Sequence, residues 1–225
     1  LTDSAPSPSS LAAPLVALRS TWLAAIAVIA ELGTGKRSRA YRIRWADRDC
    51  VLKLYDPAAC AKHARRHPVP LARYEYRRNR ALYQVPGLQA HIARPFVYWV
   101  DGDRQAFVQE YLPGTLYEHY RDTAPDTERE TLIASLKDIV ARAHGAGLYD
   151  LDLHPNNVMV CPDESGGRSL KLYDFNKVPF HELPPNPLAA LLLALRLVRP
   201  ESRDLRRLYL FTDPRGRSRL GTRRQ

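Results

Sequence analysis

With 225 residues, 45% of them hydrophobic, the chain can bury a real core, as one large domain or two small units, and is not a disordered protein. Its three cysteines, Cys50, Cys60 and Cys161, form no CxxC pair, which argues against a disulfide framework or a zinc ribbon and fits a reducing, cytoplasmic compartment. The formal net charge of +10 is concentrated at residues 36–48, 62–80 and 203–225, clusters that attract phosphates, nucleic acid or anionic lipid headgroups.

The opening LTDSAPSPSS lacks the basic start and apolar stretch of a secretory signal, and residues 1–22 read as a partly flexible leader. The longest uncharged apolar run, residues 22–30, is too short at about 1.5 Å per helical residue to cross a membrane core of about 30 Å. Strands are expected at 27–32, 39–45 and 50–55, the last two joined by the turn ADRD. After Pro68 and Pro70, LARYEYRRNRALYQV predicts a helix, because Leu71, Tyr74, Glu75, Arg78 and Leu82 fall on one face, and Pro86 with Gly87 ends it. Two strands, ARPFVYWV and QAFVQEYL, follow around a DGDR turn.

A long helix over 125–144 carries the apolar stripe Leu132, Leu136, Ile139, Val140 and Ala143, with Gly145 and Gly147 as its stop. The polar loop YDLDLHPNN leads into two short strands, NVMV and LKLYDF. The tail predicts an apolar helix, PLAALLLALRLV, and an arginine-rich one near SRDLRRLYLF. The expected fold class is α+β: a five-stranded antiparallel sheet with one main helix over 23–113, then a truncated, mostly helical half over 114–225. The boundary is placed near Pro113 and Gly114.

Chemistry-bearing residues punctuate these elements. ELGTGKRSRAY is a turn bearing Gly33 and Gly35, and Lys53 sits in the third strand. Glu75 is the only acid between Asp56 and Asp101 and lies on the inward helix face, where an unpaired carboxylate would be costly and a lysine partner would offset the cost. Asp152 and Asn157 stand five residues apart after the long helix, and Asp174 opens DFN.

This order resembles the protein-kinase-like signature set over about residues 31–176. The resemblance implies a two-lobe fold that uses ATP and Mg²⁺. Gly33 and Gly35 would close backbone over the phosphates, and Lys53, held by Glu75, would contact the α and β phosphates. The backbone of Glu110 and Leu112 would be the adenine hinge, Asn157 and Asp174 would bind Mg²⁺, and Asp152 would be the acid-base residue. Three positions depart from the pattern: Ser38 replaces the third glycine, Asp150 stands where the family keeps a His, and DFN replaces DFG. No APE element occurs, so a peptide-substrate platform is not expected.

AHGAGLYDLDLHPNNVMV with KLYDFNK is similar to the compact bacterial kinases of the lipopolysaccharide inner core, the Kdo and heptose kinase family. That likeness implies a sugar hydroxyl of an anionic glycolipid as acceptor, and a cytoplasmic chain that works peripherally at the inner membrane. DLHPNN is also similar to the DLHPGN loop of aminoglycoside and choline kinases, and a non-catalytic pseudokinase is the alternative from another class. The arginine-rich tail lacks interleaved aromatics, so no nucleic-acid partner is expected. His154 is read as bonding locally, His144 as capping helix carbonyls, and Arg73, Arg77 and Arg80 as a solvated helix side.

Overall fold

The computed structural model describes residues 26–163, 166–179, 187–195 and 197–212. The expected leader at 1–22 and the end of the arginine-rich tail lie outside the described residues.

The fold is α+β. Its five-stranded sheet contains β1 (Ala27–Thr34), β2 (Ser38–Trp45), β3 (Arg48–Tyr55), β4 (Pro95–Asp101) and β5 (Arg104–Glu110), in the order β1-β2-β3-β5-β4 with every pairing antiparallel. Alternation explains β2: Tyr41 and Ile43 turn inward, onto Cys50, Leu52, Ala106 and Val108 of β3 and β5, while Arg42 and Arg44 point away. The turn into β3 places Ala46 and Asp47 at φ 48° and 59°, the left-handed pair that a tight hairpin with matched twist requires.

The other side of the sheet carries two helices, α1 (Pro57–Ala64) and α2 (Leu71–Tyr83), around a cluster of Tyr55, Cys60, Leu71, Ala72 and Phe107. Asp56 caps α1 by accepting the Ala58 N–H at 2.8 Å, with Pro57 as its first residue. In α2 all five residues of the expected inward face are buried, and Ala72 N donates to Gln105 Oε1 at 3.0 Å, which pins the helix start to β5.

Gly114 carries the chain from this sheet to the next. A Cβ there would sit 2.2 Å from the Val160 carbonyl oxygen, so no other residue fits the crossing. The second sheet has the order β6-β7-β8: β6 (Thr115–Leu116), β7 (Val158–Pro162) and β8 (Arg168–Leu172). Helices α3 (Tyr117–Tyr120), α4 (Asp126–Gly145), α5 (Pro187–Ala194), α6 (Ser202–Arg207) and α7 (Tyr209–Thr212) complete this half.

The stripe of α4 meets Leu82, Tyr117, Leu153, Val158, Leu172, Phe175 and Phe211 in the largest apolar cluster. At about 1.5–3 kcal/mol for each large apolar side chain removed from water, this cluster is the main cohesive element of the second half. The tail is fastened to it, since Tyr117 Oη donates to the Phe211 carbonyl at 3.2 Å and Arg121 Nη1 to that of Leu210 at 2.9 Å. The expected apolar tail helix ends at Ala194, and the arginine-rich one is broken into α6 and α7. Among the described residues no helix is long and apolar enough to cross a membrane.

Candidate active site

Between the two sheets lies a cleft of about 550 Å³. Its wall includes Gly33 and Gly35 from the β1–β2 turn, Lys53 from β3, Glu110 and Leu112 from the connection after β5, and Asn157 and Asp174 from the second half. Glu75 lies behind Lys53, and Asp152 is not on the wall. The turn closes through Gly35 N–H donating to the Ser38 carbonyl at 2.8 Å, while Gly33 takes φ 150°, a value side chains disfavour. Thus Ser38, at the third glycine position, contributes its carbonyl to the closure.

The period-two geometry of β3 sends Lys53 and Tyr55 to the same face, toward α2. Lys53 Nζ lies 2.6 Å from Glu75 Oε1 and 2.8 Å from Asp174 Oδ1, and Tyr55 Oη donates to Glu75 Oε2 at 2.5 Å. The Lys53 side chain is 6% exposed and that of Glu75 is 0% exposed. Burial acts against charge on both partners, pulling the Lys53 ammonium down and pushing the Glu75 carboxyl up. For Lys53 the carboxylates of Asp174 and Glu75 outweigh burial, and its net shift is upward. With two short donors on Glu75, the ionised pair is the state the geometry fits.

Asp174 takes φ 71° and is held from two sides: its Oδ1 accepts both Lys53 Nζ and, at 2.6 Å, Asn176 Nδ2. Asn176 in turn accepts Arg37 Nη1 at 2.8 Å through both its backbone carbonyl and its side-chain oxygen. The Asn of DFN is therefore a buried bridge between the glycine turn and Asp174, a task that a glycine could not perform. Asn157 Nδ2 donates to the Asp152 carbonyl at 3.0 Å, which leaves its amide oxygen for another partner. One carboxylate and one amide oxygen on the cleft wall suit a hard divalent cation that takes its remaining ligands from phosphates and water. Among the described residues there is no cluster of three or more His, Cys, Asp or Glu that could hold a metal ion.

The loop that carries Asp150 and Asp152 has both in the left-handed region, at φ 56° and 52°. Such conformations cost about 1–3 kcal/mol and persist where neighbours over-determine them. Here Arg78 Nη2 donates to the carbonyls of Tyr149 and Asp150, Arg203 Nη1 lies 2.7 Å from Asp150 Oδ2, and Arg207 Nη1 contacts Asp152 Oδ1. Lys177 Nζ reaches the same Asp152 oxygen at 3.5 Å. Burial pushes the Asp150 carboxyl above its ordinary range, against the pull of Arg203.

Buried Asp204 of α6 accepts the Leu151 N–H at 2.9 Å and lies 3.0 Å from His144 Nε2. This corrects the expected role of His144: its ring ties α4 to α6 and, among the described residues, caps no carbonyl. His154 bonds locally, its Nδ1 accepting the Asn156 N–H at 3.2 Å.

The side chain of Glu110 faces away from an adenine role. Its Oε1 pairs with Lys171 at 2.6 Å, its Oε2 accepts the Arg94 N–H at 2.9 Å and its own N–H donates to the Arg94 carbonyl at 2.8 Å, so only its backbone carbonyl is left for the cleft. Sequence reasoning marked Asn176 only as a departure from glycine and did not single out Arg37, Lys177 or Arg207. The only signal of these three basic residues was membership of charged or polar runs that read equally well as solvated surface.

Neither a scan of the chain against protein-family models nor a search of curated proteins finds a match.

Proposed function

We propose that the chain is an ATP- and Mg²⁺-dependent phosphotransferase with a protein-kinase-like two-lobe fold, acting on a sugar hydroxyl of the lipopolysaccharide inner core. The observation that supports this reading is Lys53 Nζ, 2.6 Å from Glu75 and 2.8 Å from Asp174, on the wall of a cleft rimmed by a glycine turn. Phosphoryl transfer asks a protein chiefly for positioning and for charge placed around the phosphates. In this reading the backbone of Gly33 and Gly35 covers the phosphates, Lys53 contacts the α and β groups, and the backbone of Glu110 and Leu112 receives adenine. Asn157 and Asp174 would hold Mg²⁺, which supplies neutralisation of the phosphate oxygens when bound.

The acceptor oxygen bonds to the γ phosphorus, the bond from that phosphorus to the bridging oxygen breaks, and ADP leaves with the electron pair. The hydroxyl proton goes to the Asp152 carboxylate. The site of action is the inner face of the inner membrane, reached through the basic surface.

The test is Mg²⁺-dependent ADP formation, with and without purified core lipopolysaccharide. We expect acceptor-stimulated turnover that Lys53→Met abolishes while circular dichroism stays unchanged. Turnover equal in Lys53→Met would overturn the assignment.

A further inference from the structure

The two charged centres flanking the cleft carry opposite excess charge. Around Lys53 one cation meets two carboxylates, Glu75 and Asp174, an excess of negative charge that suits a divalent cation. Around Asp152 the count is reversed: among the described residues, one carboxylate meets two cations, Lys177 and Arg207, both on Oδ1. These three side chains are 22%, 29% and 25% exposed, so a ligand can reach them. The neighbouring Arg203 is committed to buried Asp150, whereas no described residue accepts from Nε or Nη2 of Arg207. A guanidinium with one nitrogen anchored and the rest of its planar fork free is built to take a carboxylate or phosphate. Its position is fixed, because Asp204 ties α6 to the same loop through Leu151 N–H.

We infer that Lys177 and Arg207 form an oxyanion subsite for the acceptor, so that the hydroxyl phosphorylated belongs to a molecule that carries a carboxylate or a phosphate close to it. The inference rests on the phosphotransferase reading and adds to it the acceptor's charge. The acceptor anion satisfies the excess cation, and Asp152 Oδ2, which has no partner among the described residues, is left for the hydroxyl.

The experiment titrates the full chain, saturated with Mg²⁺ and a non-hydrolysable ATP analogue, with core oligosaccharide in three forms: native, carboxyl-reduced and dephosphorylated. Removing the anion that the subsite holds should weaken binding by about 10- to 100-fold, the worth of one charge-assisted contact. The arm in which the loss occurs identifies carboxylate or phosphate. Arg207→Gln and Lys177→Gln should each bind the native form as weakly as the stripped one. Arg77→Gln, which removes the same charge from an exposed part of α2, should keep the preference. If the wild type binds the analogue and takes all three oligosaccharides equally, the subsite is wrong and the phosphotransferase reading stands; if it binds the analogue and takes none of them, the core acceptor is wrong as well. A preference that survives in both subsite variants, or vanishes equally in Arg77→Gln, also overturns it. Failure to bind the ATP analogue would overturn both.

Discussion

Lys53 lines the cleft and Asp152 lies beside it in the loop that carries Asn157, and their surroundings differ in the way that matters most for charged groups. The Lys53–Glu75 pair is dry: a 6% exposed ammonium against a fully buried carboxylate, with a tyrosine hydroxyl closing the set and Asp174, 31% exposed, at its edge on the cleft. The Asp152 centre is open to water and holds more cation than anion. A dry centre derives its effect from strict pairing and costs stability when a partner goes. An open one tolerates loss of a partner, because water replaces it, and is free to exchange partners with a ligand.

The comparison is broken most directly at Asp152. Asp152→Asn should slow phosphoryl transfer by about 10²–10⁴-fold while ATP binding is kept, whereas Asp174→Asn should lose Mg-ATP binding. Rapid-quench kinetics paired with nucleotide titration separates the two. Next in size is the dry centre itself. Glu75→Ala leaves Lys53 and Tyr55 facing a buried void of charge and should cost about 3–5 kcal/mol in urea unfolding; an unchanged midpoint would mean that the pair contributes nothing to the fold.

The same contrast is sharper inside α6, where two arginines one turn apart reach two aspartates. Arg203→Gln strips a carboxylate that is 4% exposed and should destabilise clearly, whereas Arg207→Gln strips one that is 22% exposed and still has Lys177. The second change should cost about 0–1 kcal/mol, so equal losses in the two variants would contradict the distinction between buried and open pairs. The smallest effect expected is at His63. Burial, against its bond to the Val69 carbonyl, holds the imidazole below its ordinary value. The unfolded chain then takes up the proton first, so the stability due to this group is full above about pH 6.5 and is lost as pH falls from there through the lower folded value. His63→Gln should flatten that part of the melting-temperature profile.

Much of the architecture was legible because it follows from short-range rules. The alternation in β2 and the five-residue inward face of α2 both read directly, and Glu75 stood out because a lone acid on a buried face needs a partner. Lys53 was the obvious candidate, and the pair is 2.6 Å apart. Elements shaped by context were not legible. The segment after Asp56 carried no expected element, although Asp56 and Pro57 start α1, and the two-residue β6 exists only because β7 lies beside it. Arg207 is 55 positions from Asp152, and nothing local distinguishes it from the other arginines of the tail. His144 likewise found its partner 60 positions away. The bridging role of Asn176 could be read only once Arg37 was seen against it.

The central claim is that this cleft transfers a phosphoryl group to a sugar hydroxyl, and its most direct test is the mass of the acceptor. Core oligosaccharide incubated with the full chain, Mg²⁺ and ATP should gain the mass of a single phosphate, and with Asp152→Asn should gain it about 10²–10⁴-fold more slowly. An acceptor of unchanged mass in the presence of protein that binds ATP, or equal phosphorylation by Asp152→Asn, would contradict the account.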